Sequence, residues 1–78
     1  MRPRELQLVV AFDSTASALV FETNAPAAGL TGRLIPVPTS ITAGCGLAWR
    51  ESPQHRCQVQ QLLQRLNIQD ATLQELVI

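Results

Sequence analysis

Lysine and tyrosine are absent from this chain, and histidine, tryptophan and methionine occur once each. The six basic residues are therefore all arginines, which are scattered along the sequence and balanced by six carboxylates. A neutral chain of this kind lacks the clustered positive charge with which nucleic-acid-binding proteins hold phosphates. We therefore expect no nucleic-acid partner.

The chain is also poor in cysteine and has no long apolar run. Its two cysteines, Cys45 and Cys57, are too few for a disulfide framework, and with the single histidine, His55, they form no zinc-binding pattern. The longest apolar run, residues 8–12, is too short to span a bilayer or to form a signal-peptide core. We expect a cytoplasmic protein with reduced thiols, no membrane contact, no metal and no cofactor.

A hydrophobic content of 46% in 78 residues is typical of one small globular domain, which we place at residues 1–78. Apolar periodicity predicts strands at 6–12, 33–37, 46 to 50 or 51, and 73–77, with helices at 14–24 and 53–66. The commonest compact form of this βαββαβ order is an α+β ferredoxin-like sandwich. It has a four-stranded antiparallel sheet in the order 4-1-3-2 and two helices on one face.

Several residues support these assignments. Pro36 and Pro38 favour a second strand at the edge of the sheet, because proline cannot donate a hydrogen bond to a neighbouring strand. Trp49 is expected in the core. His55 is expected near the surface, since the pattern places no carboxylate or nucleophile beside it.

The helix boundaries carry their own signals. Ser14 and Thr15 can cap the first helix, and Pro26 is expected to kink or end it. Ser52, followed by Pro53, predicts the start of the second helix with the serine as its N-cap. Apolar residues at helical spacing form one stripe on that helix, namely Val59, Leu62, Leu63 and Leu66.

The candidate reactive residue is Cys45, which stands between Gly44 and Gly46 at the end of a long turn. In the predicted topology this turn lies beside the N-terminus of the first helix. The positive end of the helix dipole would then hold the pKa of a thiol below its ordinary value of about 8.5. The two glycines would let the backbone turn and leave the sulfur accessible. A compact buried cysteine without chemistry is the alternative interpretation.

Ser14 and Thr15 also have two interpretations: they cap the first helix, or they donate hydrogen bonds to a group bound at the sulfur of Cys45. Arg33 begins the second strand at the opposite end of the sheet, where a surface role is expected. Cys57 is expected at that far end too, on the side of its helix away from the apolar stripe. Because bridged Cα atoms lie within about 7 Å, we expect no disulfide between the two cysteines.

A resemblance to a known family rests on three segments, Arg33-Leu34-Ile35-Pro36-Val37-Pro38, Ser40-Ile41 and Cys45-Gly46-Leu47-Ala48. Together with the opening strand and alanine-rich helix of residues 9–18, they resemble a family of small bacterial selenium/sulfur carrier-like proteins. The resemblance implies that Cys45, with Gly46 beside it, holds sulfur or selenium as a persulfide or selenopersulfide. It also implies sulfurtransferase-like or selenium-metabolism partners and a carrier rather than a turnover enzyme.

The chain departs from this family's usual pattern at Thr39 and Gly44, so anion binding by the turn is not carried over. A second function is compatible with the same fold: a non-catalytic module that binds a ligand or a protein. Such a module would dimerise through Val9, Ala11 and Ala48 on the sheet face that the helices leave open.

Overall fold

The computed structural model describes residues 4–38 and 46–78 of the chain. Within these ranges, four strands and two α-helices follow one another in the predicted order. The strands are β1 (Leu6–Phe12), β2 (Arg33–Pro36), β3 (Leu47–Glu51) and β4 (Ala71–Val77), and the helices are α1 (Thr15–Asn24) and α2 (Arg56–Arg65). Short 3-10 helices at Pro26–Ala28 and Pro53–His55 complete the chain path.

The strands form one antiparallel sheet in the order β2-β3-β1-β4, which is the predicted order 4-1-3-2. Both α-helices pack on the same face, where Phe21 of α1 and Leu62 of α2 join Leu8 and Val10 of β1 in the main core. The ferredoxin-like α+β prediction is confirmed.

Aromatic contacts link α1 to the two central strands. The ring of Phe21 lies 5.5 Å from that of Phe12 and 5.3 Å from that of Trp49, centroid to centroid. Trp49 is only 3% exposed, as expected for a core residue. No helix in the described ranges is long and apolar enough to cross a membrane.

The helix α1 begins and ends as its sequence indicates. Ser14 is the N-cap, and its side-chain oxygen accepts a hydrogen bond from the backbone N–H of Ser17. The helix ends before Pro26 and passes into a 3-10 turn closed by Gly29, whose φ of 80° is easily adopted only by glycine.

The start of α2 differs from the prediction. Pro53 begins a 3-10 turn, α2 itself begins at Arg56, and the Ser52 side chain makes no capping bond. The carbonyl of Ser52 instead accepts the N–H of His55 at 3.0 Å, so backbone atoms close the first turn. The apolar stripe faces the core as expected, with Val59, Leu62 and Leu63 buried and Leu66 partly buried.

The two sheet edges are unequal. The edge strand β2 ends at Pro36, one residue before the predicted limit, although the N–H of Val37 still donates to the carbonyl of Gly46 at 2.9 Å. The other edge strand, β4, begins at Ala71, two residues before the predicted limit. It does so because it pairs with β1 along that strand's full length, from Phe12 opposite Ala71 to Leu6 opposite Val77.

The second sheet face carries Val9, Ala11 and Ala48, as expected, but these residues are not an exposed patch. Their exposed fractions are 0%, 5% and 0%. They form a small second core that is packed against partly buried Ile35, Val37, Leu76 and Ile78. A partner approaching this face would meet the surrounding side chains rather than the three predicted residues.

Candidate functional site

Two residues of the predicted site, Gly44 and Cys45, lie outside the described residues. Their neighbour Gly46 is described and exposed, and its φ of 76° is a left-handed conformation that favours glycine. The backbone next to Cys45 therefore makes the turn for which the sequence supplies a glycine.

The position of Gly46 in the sheet agrees with the prediction. Ala48 pairs with Ala11, so Gly46, two residues before Ala48, lies at the end of the sheet where β1 leads into α1. The start of β3 and the N-terminus of α1 are therefore at the same end of the molecule.

A side-chain network occupies that helix N-terminus. The Ser14 hydroxyl donates to the Ser17 hydroxyl at 2.9 Å, and the Ser17 hydroxyl donates to the Asp70 carboxylate at 2.9 Å. The hydrogen bond from Ser17, which Ser14 supports by donating to the Ser17 hydroxyl, lowers the pKa of Asp70 below its ordinary value. Ser14 thus caps the helix and belongs to this network, whereas the Thr15 side chain is exposed and makes no hydrogen bond with the described residues.

Asp70 changes the electrostatics that the sequence suggests for this end. The helix dipole favours an anion at its N-terminus, and the Asp70 carboxylate already lies against the first turn of α1. Asp13 precedes the cap, and its N–H donates to the backbone carbonyl of Asp70 at 2.9 Å. The Asp70 carboxylate therefore offsets part of the helix dipole, and the dipole's expected effect on a nearby thiol is smaller than the sequence alone indicates.

The most completely bonded polar group in the described ranges lies at the opposite end of the sheet. Glu51, the last residue of β3, is 1% exposed. One carboxylate oxygen accepts the N–H of Gly32 at 2.9 Å and the indole N–H of Trp49 at 3.0 Å. The other oxygen lies 2.6 Å from Nδ1 of His55 and also accepts the N–H of Thr31 at 3.4 Å. We call these residues the Glu51 cluster.

The charge state of the cluster follows from these bonds. Burial by itself raises the pKa of Glu51, but the bonds from His55, Trp49, Gly32 and Thr31 together outweigh burial and lower the pKa below 4.5. An ionised carboxylate has no proton to donate, so Nδ1 of His55 carries the hydrogen of the short bond. His55 is 21% exposed at its side chain and is held by a fully buried partner.

The Glu51 cluster was not predicted. The prediction left His55 without a carboxylate, and this is wrong because the 3-10 turn at Pro53–His55 returns the imidazole to Glu51, four residues earlier. The only local signal for this contact was that Glu51 and His55 are four residues apart with a proline between them, a spacing that one tight turn can bring together. The Gly32 and Thr31 bonds join residues 19 and 20 positions apart, which no local pattern indicates.

Cys57 is placed where the sequence predicts. It is exposed on α2, on the side away from the apolar stripe, and is a free cysteine whose sulfur accepts the side-chain amide of Gln61 at 3.6 Å. The prediction that it forms no disulfide with Cys45 stays a prediction.

A scan against protein-family models places residues 7–74 in the family described as "Putative Se/S carrier protein-like". The chain belongs to this Se/S carrier-like family. The match covers most of the chain, from β1 into β4, and so confirms the resemblance that the sequence segments indicate. No curated protein and no solved structure gives a significant match.

The family match includes both cysteines of this Se/S carrier-like chain and both ends of its sheet. It therefore does not by itself select the carrier residue. In the described ranges, no group of three or more His, Cys, Asp or Glu side chains is arranged to hold a metal ion.

The Glu51 cluster predicts acid sensitivity of this Se/S carrier-like fold. Because the pKa of Glu51 is lowered on folding, its ionisation stabilises the protein fully above about pH 4.5, and this stabilisation is lost as the pH falls through the lowered value. We expect the urea midpoint of the wild type to fall steeply below pH 4.5, and that of E51Q to fall less. Asp70 titrates in both proteins and cancels in the comparison. Parallel curves would contradict this role of Glu51.

Proposed function

We propose that this protein carries a sulfane sulfur or selenium atom on Cys45 and passes it between partner proteins. The observation that carries the proposal is membership of the Se/S carrier-like family over residues 7–74. Cys45 is preferred to Cys57 because the residue beside it, Gly46, is exposed and turned, which suits an accessible sulfur. Cys57 lies on a regular helix instead.

The transfer requires only thiol exchange. The Cys45 thiolate attacks the outer sulfur of a donor persulfide, R–S–S–H, and a new S–S bond forms as the donor's S–S bond breaks. The donor leaves as a thiolate, the proton stays on the transferred sulfur, and Cys45 carries S–SH. An acceptor thiolate then attacks the same outer atom, and selenium follows the same course, so no external oxidant or reductant is needed.

The partners that suit this chemistry are proteins that hold a persulfide or selenopersulfide, such as sulfurtransferase-like donors and selenium-metabolism acceptors. Asp13 and Asp70 make the nearby end of α1 acidic, and this acidity affects which donor can approach. A protein-bound donor, whose binding surface can supply the attraction, suits this acidic end better than a free polyanionic sulfur compound.

The test is a loading experiment with matched variants. The reduced protein is treated with cysteine persulfide, and mass spectrometry then assigns any added sulfur atom to a residue. We expect loading of the wild type and of C57S, and loss of loading in C45S. The alkylation rate of each cysteine against pH should also show Cys45 reacting faster than Cys57 near neutral pH.

Two outcomes contradict the carrier function. Equal loading of C45S and C57S would mean that persulfide reacts with any exposed thiol. A slow Cys45 with an apparent pKa at or above that of Cys57 would remove the chemical basis of the proposal. The interaction-module function would then be the better account, with its contacts sought at Ile35 and Leu76 around the second sheet face.

A further inference from the structure

Two arginines face each other across the edge of the sheet. In the register of β2 and β3, Arg33 pairs directly with Arg50, and Arg50 also pairs with Val9 of β1. Because Val9 belongs to the second face, both guanidinium groups arise on the side of the sheet away from the helices. The Cβ atoms of directly opposed residues are about 4.5 to 5.5 Å apart. We call these residues the arginine pair.

Neither member of the arginine pair forms an ion pair within the described ranges. Like charges directly opposite each other destabilise a sheet. The two ion pairs found in residues 4–38 and 46–78 join His55 to Glu51 and Arg56 to Glu75, and neither uses the arginine pair. Glu5 is nearby, but the side-chain bond that it makes is with the amide of Gln7 at 3.4 Å.

The arginine pair lines a groove of about 330 Å³ at the end of the sheet where β3 stops. Thr31 and Ser52 also line this groove, and the Ser52 hydroxyl is not used for helix capping. Glu51 borders it, but both of its oxygens already accept hydrogen bonds in the Glu51 cluster. The groove thus combines two arginines and two hydroxyl-bearing residues with two carboxylates, of which Glu51 is fully hydrogen-bonded and Glu5 accepts from the Gln7 amide.

We propose that this groove binds a small, doubly charged tetrahedral oxyanion of the phosphate or sulfate type. A guanidinium presents a planar set of N–H donors that matches two oxygens of such an anion, and two guanidiniums from opposed strands match its charge. Binding relieves the repulsion that the register imposes on the pair. The site does not depend on Cys45, since Gly46 and Arg50 are separated by about 13 Å of strand.

The test compares variants in matched salt. Inorganic phosphate replaces chloride at constant ionic strength in samples of the wild type, R33Q, R50Q and R65Q. Binding is followed by the NMR chemical shifts of the backbone amides of Thr31 and Ser52. We expect saturable shifts in the wild type and in R65Q, which removes the same charge from α2. R33Q and R50Q should each bind about tenfold more weakly, the loss expected for a charged hydrogen bond.

Thermal unfolding provides an independent readout. Phosphate should raise the Tm of the wild type and R65Q and leave that of R33Q and R50Q close to the chloride value, because only a folded site gains from its ligand. Phenyl phosphate distinguishes the source of the anion. If phenyl phosphate binds as tightly as inorganic phosphate, or more tightly, the groove accepts a phosphate monoester. Weaker binding of phenyl phosphate indicates that the ligand is a free anion. Shifts that do not saturate, or that fall equally in R65Q, overturn the proposal.

Discussion

Replacing Glu51 with alanine is expected to lower the free energy of unfolding by about 3 to 5 kcal/mol, since each buried donor left without a partner costs about 1 to 3 kcal/mol. The substitution removes the acceptor of four donors at once. The indole N–H of Trp49 and the N–H of Gly32 would then be buried without partners. Urea unfolding followed by the fluorescence of Trp49 measures the loss.

The matched control is Glu75, which pairs with Arg56 at 3.1 Å but is 41% exposed. Alanine at this position removes an equal charge from a surface ion pair and should cost less than about 1 kcal/mol. E51Q should fall between the two, because an amide keeps the shape and one acceptor oxygen but loses the charge. Similar losses for E51A and E75A, at an unchanged urea slope, would contradict the importance assigned to the Glu51 cluster.

Replacing Gly32 with alanine is expected to cost about 3 kcal/mol, near the upper end for overpacking a well-filled site. A Cβ atom at this position would lie 1.8 Å from the backbone carbonyl oxygen of Arg50 and 2.8 Å from the Glu51 carboxylate. Backbone must move to admit it. Since Gly32 and Trp49 donate to the same carboxylate oxygen, the fluorescence of Trp49 should change as well.

Gly29 is the control for this substitution. It has a φ of 80°, and a Cβ atom there would meet nothing within 4 Å. Alanine at this position pays only for the left-handed backbone, about 1 to 2 kcal/mol, and should leave the fluorescence of Trp49 unchanged. If G32A and G29A lose the same stability with the same spectra, close packing at Gly32 is not the cause.

The fold could be predicted from the sequence because its local signals agree with one another. Three signals each have one simple physical explanation, and the structure confirms all three. They are the apolar stripe of α2 at Val59, Leu62 and Leu63, the cap of α1 at Ser14, and the edge position of Pro36. Boundaries were less predictable where pairing decides them. Ala71 is in β4 because it lies opposite Phe12, a fact that its own neighbours in the sequence do not reveal.

The polar sites could not be predicted because they join distant parts of the chain. The sequence indicates only that Glu51 ends a strand. Gly32 reaches the Glu51 carboxylate because β2 pairs with β3. Asp70 reads as a loop residue, yet it binds Ser17 at the N-terminus of α1. Cys45 and Gly44 were selected by composition and family resemblance, and their assignment to the site stays a prediction that the loading experiment decides.

The two ends of the sheet differ in how far apart in sequence their bonded residues are. The Glu51 cluster joins backbone and side chain across 19 or 20 positions, whereas Ser17 and Asp70 are 53 positions apart. Closing a longer loop costs more chain entropy, and the step from 20 to 53 residues adds about 1 kcal/mol. Asp70 directly precedes β4, whose first residue, Ala71, pairs with Phe12 of β1. Fraying of this end of β4 would release Asp70 from Ser17 and uncover the first turn of α1, while the bonds of the Glu51 cluster stay in place. The end of the sheet beside Gly46 can therefore open locally while the Glu51 end stays closed.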